Sequence, residues 1–379
     1  MKLVCFADFH LGISTYGRTD SVTNLNTRVL KALKSLDEMI EYTIKNKIKV
    51  VVFAGDAYKN SSVLPNIQAE FNKRMRKLVD NDVTILCLDG NHDVDRIETK
   101  KSPLNVYDDL KVDNVVQTRF HKEIELTIDN ETIKFVFLPT YHDEMEIRHI
   151  VENTQYDGKP IVYIFHGTIR GANLNDWNIA EKETYVEPDV FDKEGVAAVV
   201  MGHLHKHQIL YNKPLVFYCG SLQRVDFSEE KQPKGFVVLD VQQDSSVTYD
   251  FIEVESQRFF TLNSNLIGIQ DETDYVINEL SNYTNKIKNA IVRLRLDMDK
   301  SNYINEQRIH EYLYSVGAEY VLKIEKRYEK REIVRNAELT ENVDEHKALR
   351  LYFENHEKFD KLIKLGDEII LRAKKEGKI

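Results

Sequence analysis

A chain of 379 residues with 42% hydrophobic and 30% charged side chains has the composition of an ordinary globular protein of two or three compact units, which excludes disorder as the default reading. A formal charge of −10 argues against a sequence-independent nucleic-acid coat, whose balance is normally basic, while leaving room for an enzyme that acts on nucleic acid. The opening Met1-Lys-Leu-Val-Cys-Phe-Ala-Asp8 lacks the order of a signal peptide, and no apolar run reaches the ~18 residues of a membrane span, so a cytoplasmic chain with no membrane partner is expected.

Residues 2–7 are the first of several short β-branched apolar runs, each closing in polar or glycine-containing sequence. The next are 50–54 and 83–88, and between these three lie stretches with helical spacing, such as Val29, Leu33, Leu36, Ile40 and Ile44. Strand, helix, strand in that rhythm predicts a layered α/β architecture with function carried at the strand ends. A helix is predicted over 66–79, with Ile67, Phe71, Met75 and Leu78 on one side, a stripe that ordinary core packing explains. Its segment Lys73-Arg-Met-Arg-Lys77 is either an electrostatic guide for a phosphate backbone or a solvated helix face.

Further strand-like runs follow at 161–165, 197–201, 215–218 and 236–239. Cys5, Cys87 and Cys219 each sit within or beside such runs, too widely spaced for a zinc ribbon or a disulfide framework, and read as small core residues. After about residue 255 the pattern becomes that of a small α+β unit: a half-exposed strand at 291–296, a helix at 306–316 and a strand at 320–324. From about 340 the chain is strongly charged, with Phe359, Leu362, Ile363, Ile369 and Ile370 at helical intervals. Gly366 interrupts that helix at a cost of ~1 kcal/mol relative to Ala, so a kink or break is expected there. The expected division is 1–255, 256–335 and 336–379.

The ends of the apolar runs hold an ordered set of polar residues: Asp8-Phe-His10, Gly55-Asp56, Gly90-Asn-His-Asp93, Phe165-His-Gly167 and Gly202-His-Leu-His205. Strands lying side by side would bring these turns to one sheet edge. Asp, His and Asn without Cys suit hard or borderline divalent ions such as Mn²⁺, Fe²⁺ or Zn²⁺. Seven such side chains are too many for one tetrahedral ion. They suit two ions sharing a carboxylate at roughly 3.5 to 4 Å, a spacing that clamps the oxygens of a phosphate ester. Each motif alone is weak; the ordered set is specific.

Together with Tyr218-Cys-Gly-Ser-Leu-Gln-Arg-Val-Asp-Phe-Ser-Glu229, Lys234-Gly-Phe236 and Arg258-Phe-Phe260, this set resembles the calcineurin-like metallophosphoesterases. Within them it resembles the SbcD-type DNA nuclease subunit of double-strand-break repair, of bacterial or phage type. The resemblance is close over 1 to about 260 and rests on arrangement alone beyond. It implies a layered metallophosphoesterase β-sandwich flanked by helices, then a small α+β capping domain that helps to hold duplex DNA, then C-terminal helices that bind an SbcC-type coiled-coil ATPase. It implies two ions, of which Mn²⁺ is expected: one held by Asp8, His10, Asp56 and His205, the other by Asp56, Asn91, His166 and His203, with Asp56 bridging. His207 is then left over, at the rim of the site or the start of the next strand.

His92 is the expected proton donor to the departing sugar oxygen, oriented by Asp93. One departure concerns Lys59, where relatives commonly place Asp or His: this lysine either contacts the DNA phosphate as a point charge or is simply exposed. The chain has no Gly-x-x-x-x-Gly-Lys-[Ser/Thr] loop for nucleotide phosphates, so any ATP dependence comes from a partner. The resemblance also implies a homodimer through helices of the 66–79 region, with core packing as the other reading of their apolar stripe. In the capping segment Arg293, Arg295, Lys323, Lys326, Arg327, Lys330 and Arg331 either line DNA or form a solvated surface. The expected activity is exonuclease on duplex ends and endonuclease on single strands or hairpins. The alternatives are a phosphomonoesterase or phosphodiesterase on a small substrate, and a DNA-end-binding scaffold with vestigial catalysis.

Overall fold

In a computed structural model of the chain, described for residues 1–94, 101–140, 143–173, 185–299, 302–328, 344–354, 356 and 358–375, the apolar runs pair into two six-stranded sheets. In chain order the elements are β1 (Lys2–Phe6), α1 (Thr27–Lys45), β2 (Val50–Ala54), α2 (Pro65–Val79), β3 (Thr84–Leu88), α3 (Val106–Asp109), β4 (Val115–Thr118), β5 (Lys122–Ile128), β6 (Glu131–Phe137), α4 (Glu144–Asn153), β7 (Ile161–His166), β8 (Thr168–Ile169), β9 (Tyr185–Val186), β10 (Val196–Gly202), β11 (Gln208–Asn212), β12 (Leu215–Tyr218), β13 (Gly235–Val241) and β14 (Val247–Glu253). Beyond them come β15 (Arg258–Asn265), α5 (Glu272–Ser281), α6 (Thr284–Ile287), β16 (Ala290–Met298), α7 (Glu306–Ser315), β17 (Tyr320–Val321), α8 (Glu345–Phe353) and α9 (Phe359–Lys375).

The first sheet runs β14-β13-β1-β2-β3-β4 and the second β11-β12-β10-β7-β6-β5. β1 to β4 are mutually parallel, as are β6, β7, β10 and β12. Strands buried on both faces read as continuous apolar runs, and side chains of period two divide each strand between two cores. Leu3, Cys5, Val50, Val52, Leu86 and Leu88 meet Phe135, Phe137, Val162, Ile164, Val200 and Phe217 between the sheets. The alternate residues Val4, Phe6, Val51, Phe53, Ile85 and Cys87 face α1 and α2. On the far side, Val136, Tyr163, Phe165, Val199 and Met201 face Ile147, Ile150 and Val151 of α4. The layers are thus helix, sheet, sheet, helix, and the three cysteines are free and buried as expected.

The apolar stripe of α2 is spent within the protomer: Phe71, Met75 and Leu78 are buried in the first core and Ile67 packs against it. The basic segment of the same helix is neutralised locally. Arg74 pairs with Asp37 at 2.7 Å and Glu70 at 2.9 Å, Lys73 with Glu70 at 2.6 Å, and Arg76 with Asp80 at 2.7 Å, which favours the solvated-face reading over a phosphate guide.

β15, β16 and β17 are parallel neighbours within a small four-stranded sheet, whose remaining strand is Glu325–Tyr328. Three of its basic residues are engaged locally: Arg293 donates to Thr261 Oγ1 at 3.1 Å, Arg295 pairs with Glu325 at 2.8 Å, and Lys326 with Glu306 at 2.7 Å. Lys330 and Arg331 lie outside the described residues, as does the expected boundary at 335/336. Met1–Asp297 with Ser301–Lys326 form one compact unit, which holds both large sheets, and Met298–Lys300 with Arg327–Ile379 form another.

In that second unit α9 runs without a break through Gly366. A methyl group there would collide with the Leu349 side chain of α8. The glycine therefore serves the close approach of two helices, an outcome that helix propensity does not foresee. Among the described residues no helix is long and apolar enough to cross a membrane.

Candidate metal centre

All five polar strand ends reach one place, and they do so from two sheets. β1, β2 and β3 of the first sheet deliver Asp8, His10, Asp56 and Asn91; β7 and β10 of the second deliver His166, His203 and His205. The expectation of one sheet edge is corrected to the shared edge of a sandwich, where parallel strands of both sheets end together. The turns there are stitched by backbone bonds, Asp8 N to Gly55 O at 2.9 Å and His10 N to Asp56 O at 3.0 Å. Asp8, His10, Asp56 and His203 all adopt positive φ, at 51°, 45°, 61° and 95°. Such conformations cost non-glycine residues on the order of 1–3 kcal/mol each and persist where the surroundings over-determine them, often at functional sites.

His10 Nε2 and His205 Nε2 are 2.9 Å apart. His166 Nε2 and His203 Nδ1 lie 2.9 Å and 3.1 Å from Asn91 Oδ1. Between these groups Asp56 Oδ2 sits 3.5 Å from both His10 Nε2 and His166 Nε2, while its Oδ1 accepts the His92 amide at 2.9 Å. One carboxylate oxygen is thus fixed by backbone and the other is shared, the geometry a bridging ligand needs. Asp8 Oδ1 accepts the His203 amide at 2.8 Å, and its Oδ2 is buried with no hydrogen-bond partner among the described residues. A buried carboxylate oxygen without a donor is costly, and a cation satisfies it. Asp8, His10 and His205 converge, as do Asp8, Asp56 and His166, with ligand atoms within 4.8 Å of one another.

The histidines are presented as ligands. His166 Nδ1 is 2.8 Å from the Ala54 carbonyl, which can only accept, so that nitrogen carries a hydrogen and Nε2 faces the site. Burial pushes the His10 pKa down to about 3, against the pull of Asp56 and with the help of His205 and His92, and a neutral imidazole is the ligand form. Burial would also lower His166, but Asp56, Asp8 and the Ala54 carbonyl outweigh it and raise its pKa to about 9. For Asp56 burial is overcome by His166, His10 and His92, which hold it well below the usual carboxylate range. The pocket calls for positive charge, and this donor set of carboxylates, imidazoles and one amide oxygen fits divalent ions.

His92 lies beside these groups, its ring 4.8 Å from that of His10 and edge-on to it. Its Nδ1 is 3.0 Å from the Lys59 carbonyl, so Lys59, and not Asp93, orients the ring. Asp93 is buried and turned the other way. It accepts the amides of Ala57 and Tyr58 at 3.1 Å each and of Gly90 at 3.0 Å, because three orphan amides of two adjoining turns need an acceptor there. Its place is under the turns, on their amides and not on the His92 ring. His207 donates from Nδ1 to the Tyr218 carbonyl at 2.8 Å and stacks on Phe251 at 4.4 Å, outside the ligand set, just before β11.

A cavity of about 620 Å³ opens on this cluster, lined among others by His10, Asp56, Lys59, Asn91, His92 and His205. The family model described as calcineurin-like phosphoesterase matches residues 1–207, more than half of the 379. The chain belongs to the calcineurin-like phosphoesterase family. It is therefore a phosphoesterase by family, and the family uses divalent metal ions. Its relatives in this family include the DNA double-strand break repair protein Mre11 of Methanopyrus kandleri, 24% identical over 281 residues, a match covering 68% of this chain and 58% of that protein. The Mre11 protein of Methanococcus maripaludis is 23% identical over 334 residues, covering 83% and 82%. The SbcD component of nuclease SbcCD from Staphylococcus epidermidis is 24% identical over 281 residues, covering 68% and 71%. The chain thus resembles the Mre11 and SbcD branch of the calcineurin-like phosphoesterases.

Two residues of this phosphoesterase site had no role assigned from sequence. Glu229 Oε1 is 2.7 Å from His205 Nδ1, and Glu229 Oε2 is 2.6 Å from Lys234 Nζ. The signal available was slight: Lys234 directly precedes the apolar run of β13, and Glu229 stands five residues before it.

Proposed function

We propose that this phosphoesterase is a metal-dependent DNA nuclease, the nuclease subunit of an SbcCD-type complex in DNA repair and recombination. The observation that carries the reading is the junction of Asp8, His10, Asp56, Asn91, His166, His203 and His205 around a shared carboxylate oxygen and an unpartnered one. The proposed sets are Asp8, His10, Asp56 and His205 for one ion and Asp56, Asn91, His166 and His203 for the other, with Mn²⁺ as the ion of choice. When bound, the pair supplies an activated water and neutralises charge on the phosphate.

Around that pair the protein's own groups do the rest. With Nδ1–H donated to the Lys59 carbonyl, His92 delivers a proton from Nε2 to the departing sugar oxygen, which general acid catalysis rewards with ~10²–10⁴-fold in rate. Lys59, exposed at the cavity wall, attracts the substrate phosphate as a point charge. Asp93 holds the turns that carry Asp56 and Asn91.

The same reading assigns 1–255 to the nuclease domain, 256–335 to a cap over duplex DNA, and 336–379 to binding an SbcC-type ATPase. Supporting the last are exposed apolar side chains on both helices, Tyr352 of α8 and Leu365, Ile369 and Leu371 of α9, of which Leu365 and Ile369 stand one turn apart on one face and suit helix-in-groove docking. A homodimer is proposed on the family resemblance and not on the α2 stripe, which is buried in the protomer. The proposed location is the cytoplasm, with the chain acting at the nucleoid.

Purified protein is incubated with Mn²⁺, end-labelled duplex DNA, a hairpin and a small chromogenic phosphodiester, with and without the ATPase partner. Cleavage of the DNA substrates supports the reading. Turnover of the chromogenic ester alone makes the chain a small-substrate phosphodiesterase, and DNA binding without cleavage of anything makes it a scaffold.

A further inference from the structure

Glu229 and Lys234 hold a metal-site histidine from both ends. The Glu229 carboxylate accepts from the His205 ring at 2.7 Å, while the Lys234 ammonium donates to the His205 backbone carbonyl at 3.0 Å and pairs with Glu229 at 2.6 Å. Both residues are buried, at 4% and 2% exposure, and Lys234 is further satisfied by Ser221 Oγ at 2.8 Å and Gln232 Oε1 at 3.1 Å. Glu229 Oε2 also accepts the Val225 amide at 3.1 Å. His166 is held differently, by a backbone carbonyl. A carboxylate on the far nitrogen raises the basicity of an imidazole ligand and fixes its tautomer and ring plane more strongly than a neutral carbonyl does.

The segment carrying Glu229 is itself seated on the small sheet. Phe227 lies 4.7 Å from Phe259 of β15, ring to ring, with the Arg293 guanidinium of β16 stacked 4.1 Å over it. Arg28 of α1 donates to the Arg224 carbonyl at 2.7 Å and stacks over Phe259 at 5.1 Å. The ring of His205 is thus referred, through Glu229, to a rigid aromatic anchor outside the large sheets.

We propose that Glu229, seated on Lys234, is a positioning residue that sets the orientation and donor strength of His205 and thereby the affinity of one of the two metal positions. This rests on the two-ion reading above. In atoms, Glu229 holds the His205 Nδ1–H and leaves Nε2 to the ion.

The test is calorimetric titration of the full chain with Mn²⁺, with thermal melting of each variant alongside. The wild type takes up two ions. Glu229→Gln weakens one position by about 10–100-fold, the range for such outer-sphere partners, and leaves the other as it was. Because Glu229→Gln strands a buried ammonium, the double variant Glu229→Gln/Lys234→Met separates the roles: it melts like the wild type and still shows the weakened position. Wild-type affinity at both positions in Glu229→Gln overturns the inference, as does recovery of both in the double variant, which would reduce Glu229 to a counter-charge for Lys234. A wild-type chain that takes up no manganese overturns the metal reading itself, and the inference with it.

Discussion

His92 and Asp93 are neighbours in the chain with separate tasks, and each task has its own signature. His92→Ala removes the imidazole but keeps the amide that binds Asp56 Oδ1, so manganese uptake and melting temperature stay unchanged while kcat falls by ~10²–10⁴. Unchanged turnover at saturating Mn²⁺ would remove His92 from the chemistry. Asp93→Ala instead strips the acceptor from the amides of Ala57, Tyr58 and Gly90. At about 1–3 kcal/mol for each buried donor left unpaired, it registers first in denaturant unfolding. If Asp93→Ala were as stable as the wild type and merely slow, the carboxylate would belong to the reaction after all. Asp56→Asn keeps the shape but removes the charge shared by the two metal positions; manganese titration is expected to lose an equivalent and DNA cleavage to fall to background. The sequence pointed to all three side chains because they follow apolar runs. It could not tell that Asp93 faces inward, since which way a turn residue turns depends on amides contributed from 36 positions away.

At the level of elements, the strands were legible because burial on both faces writes continuous β-branched runs, and their ends because apolar sequence stops there. Weaker signals went unread. The β5–β6 hairpin is half-exposed along β5, and the C-terminal helical spacing is divided between two helices, Glu345–Phe353 and Phe359–Lys375. Close approach between elements also escaped. Gly202, at the end of β10, sits against the Ala54 carbonyl of β2 in the facing sheet, where a Cβ would collide with backbone on one side and the His166 ring on the other. Backbone has nowhere to move in a packed sandwich, so Gly202→Ala is expected to cost about 1–3 kcal/mol or more and to spread His166 from Asp56. Equilibrium denaturation tests the cost; a variant as stable as the wild type would mean that the sheets are farther apart at this edge than the geometry has them.

For the whole molecule, two outcomes separate chemistry from assembly. Metal that binds only the folded chain stabilises it by RT ln(1 + [L]/Kd), about 2.7 kcal/mol at a hundredfold excess over Kd. Adding Mn²⁺ is therefore expected to raise the apparent melting temperature, and a chelator to reverse this and abolish phosphoesterase activity; a melting curve indifferent to both would speak against the site. Truncation after residue 336 leaves the compact unit formed by 1–297 and 301–326 and is expected to retain manganese uptake while losing capture by the ATPase subunit. Retained capture would defeat the assignment of the C-terminal helices.

By itself the sequence determined which residues stand at strand ends and that their chemistry suits divalent cations, because period, turn composition and side-chain type are local properties that need no partner to be read. The tertiary structure decided the rest: that the ends belong to two sheets, that one Asp56 oxygen is shared by both halves of the site, that Lys59 and Glu229 orient His92 and His205, and that the α2 stripe is core. Those facts depend on pairs such as His10 and His205, separated by 195 residues and 2.9 Å apart, and only the closing of both sheets over a common core brings such pairs together.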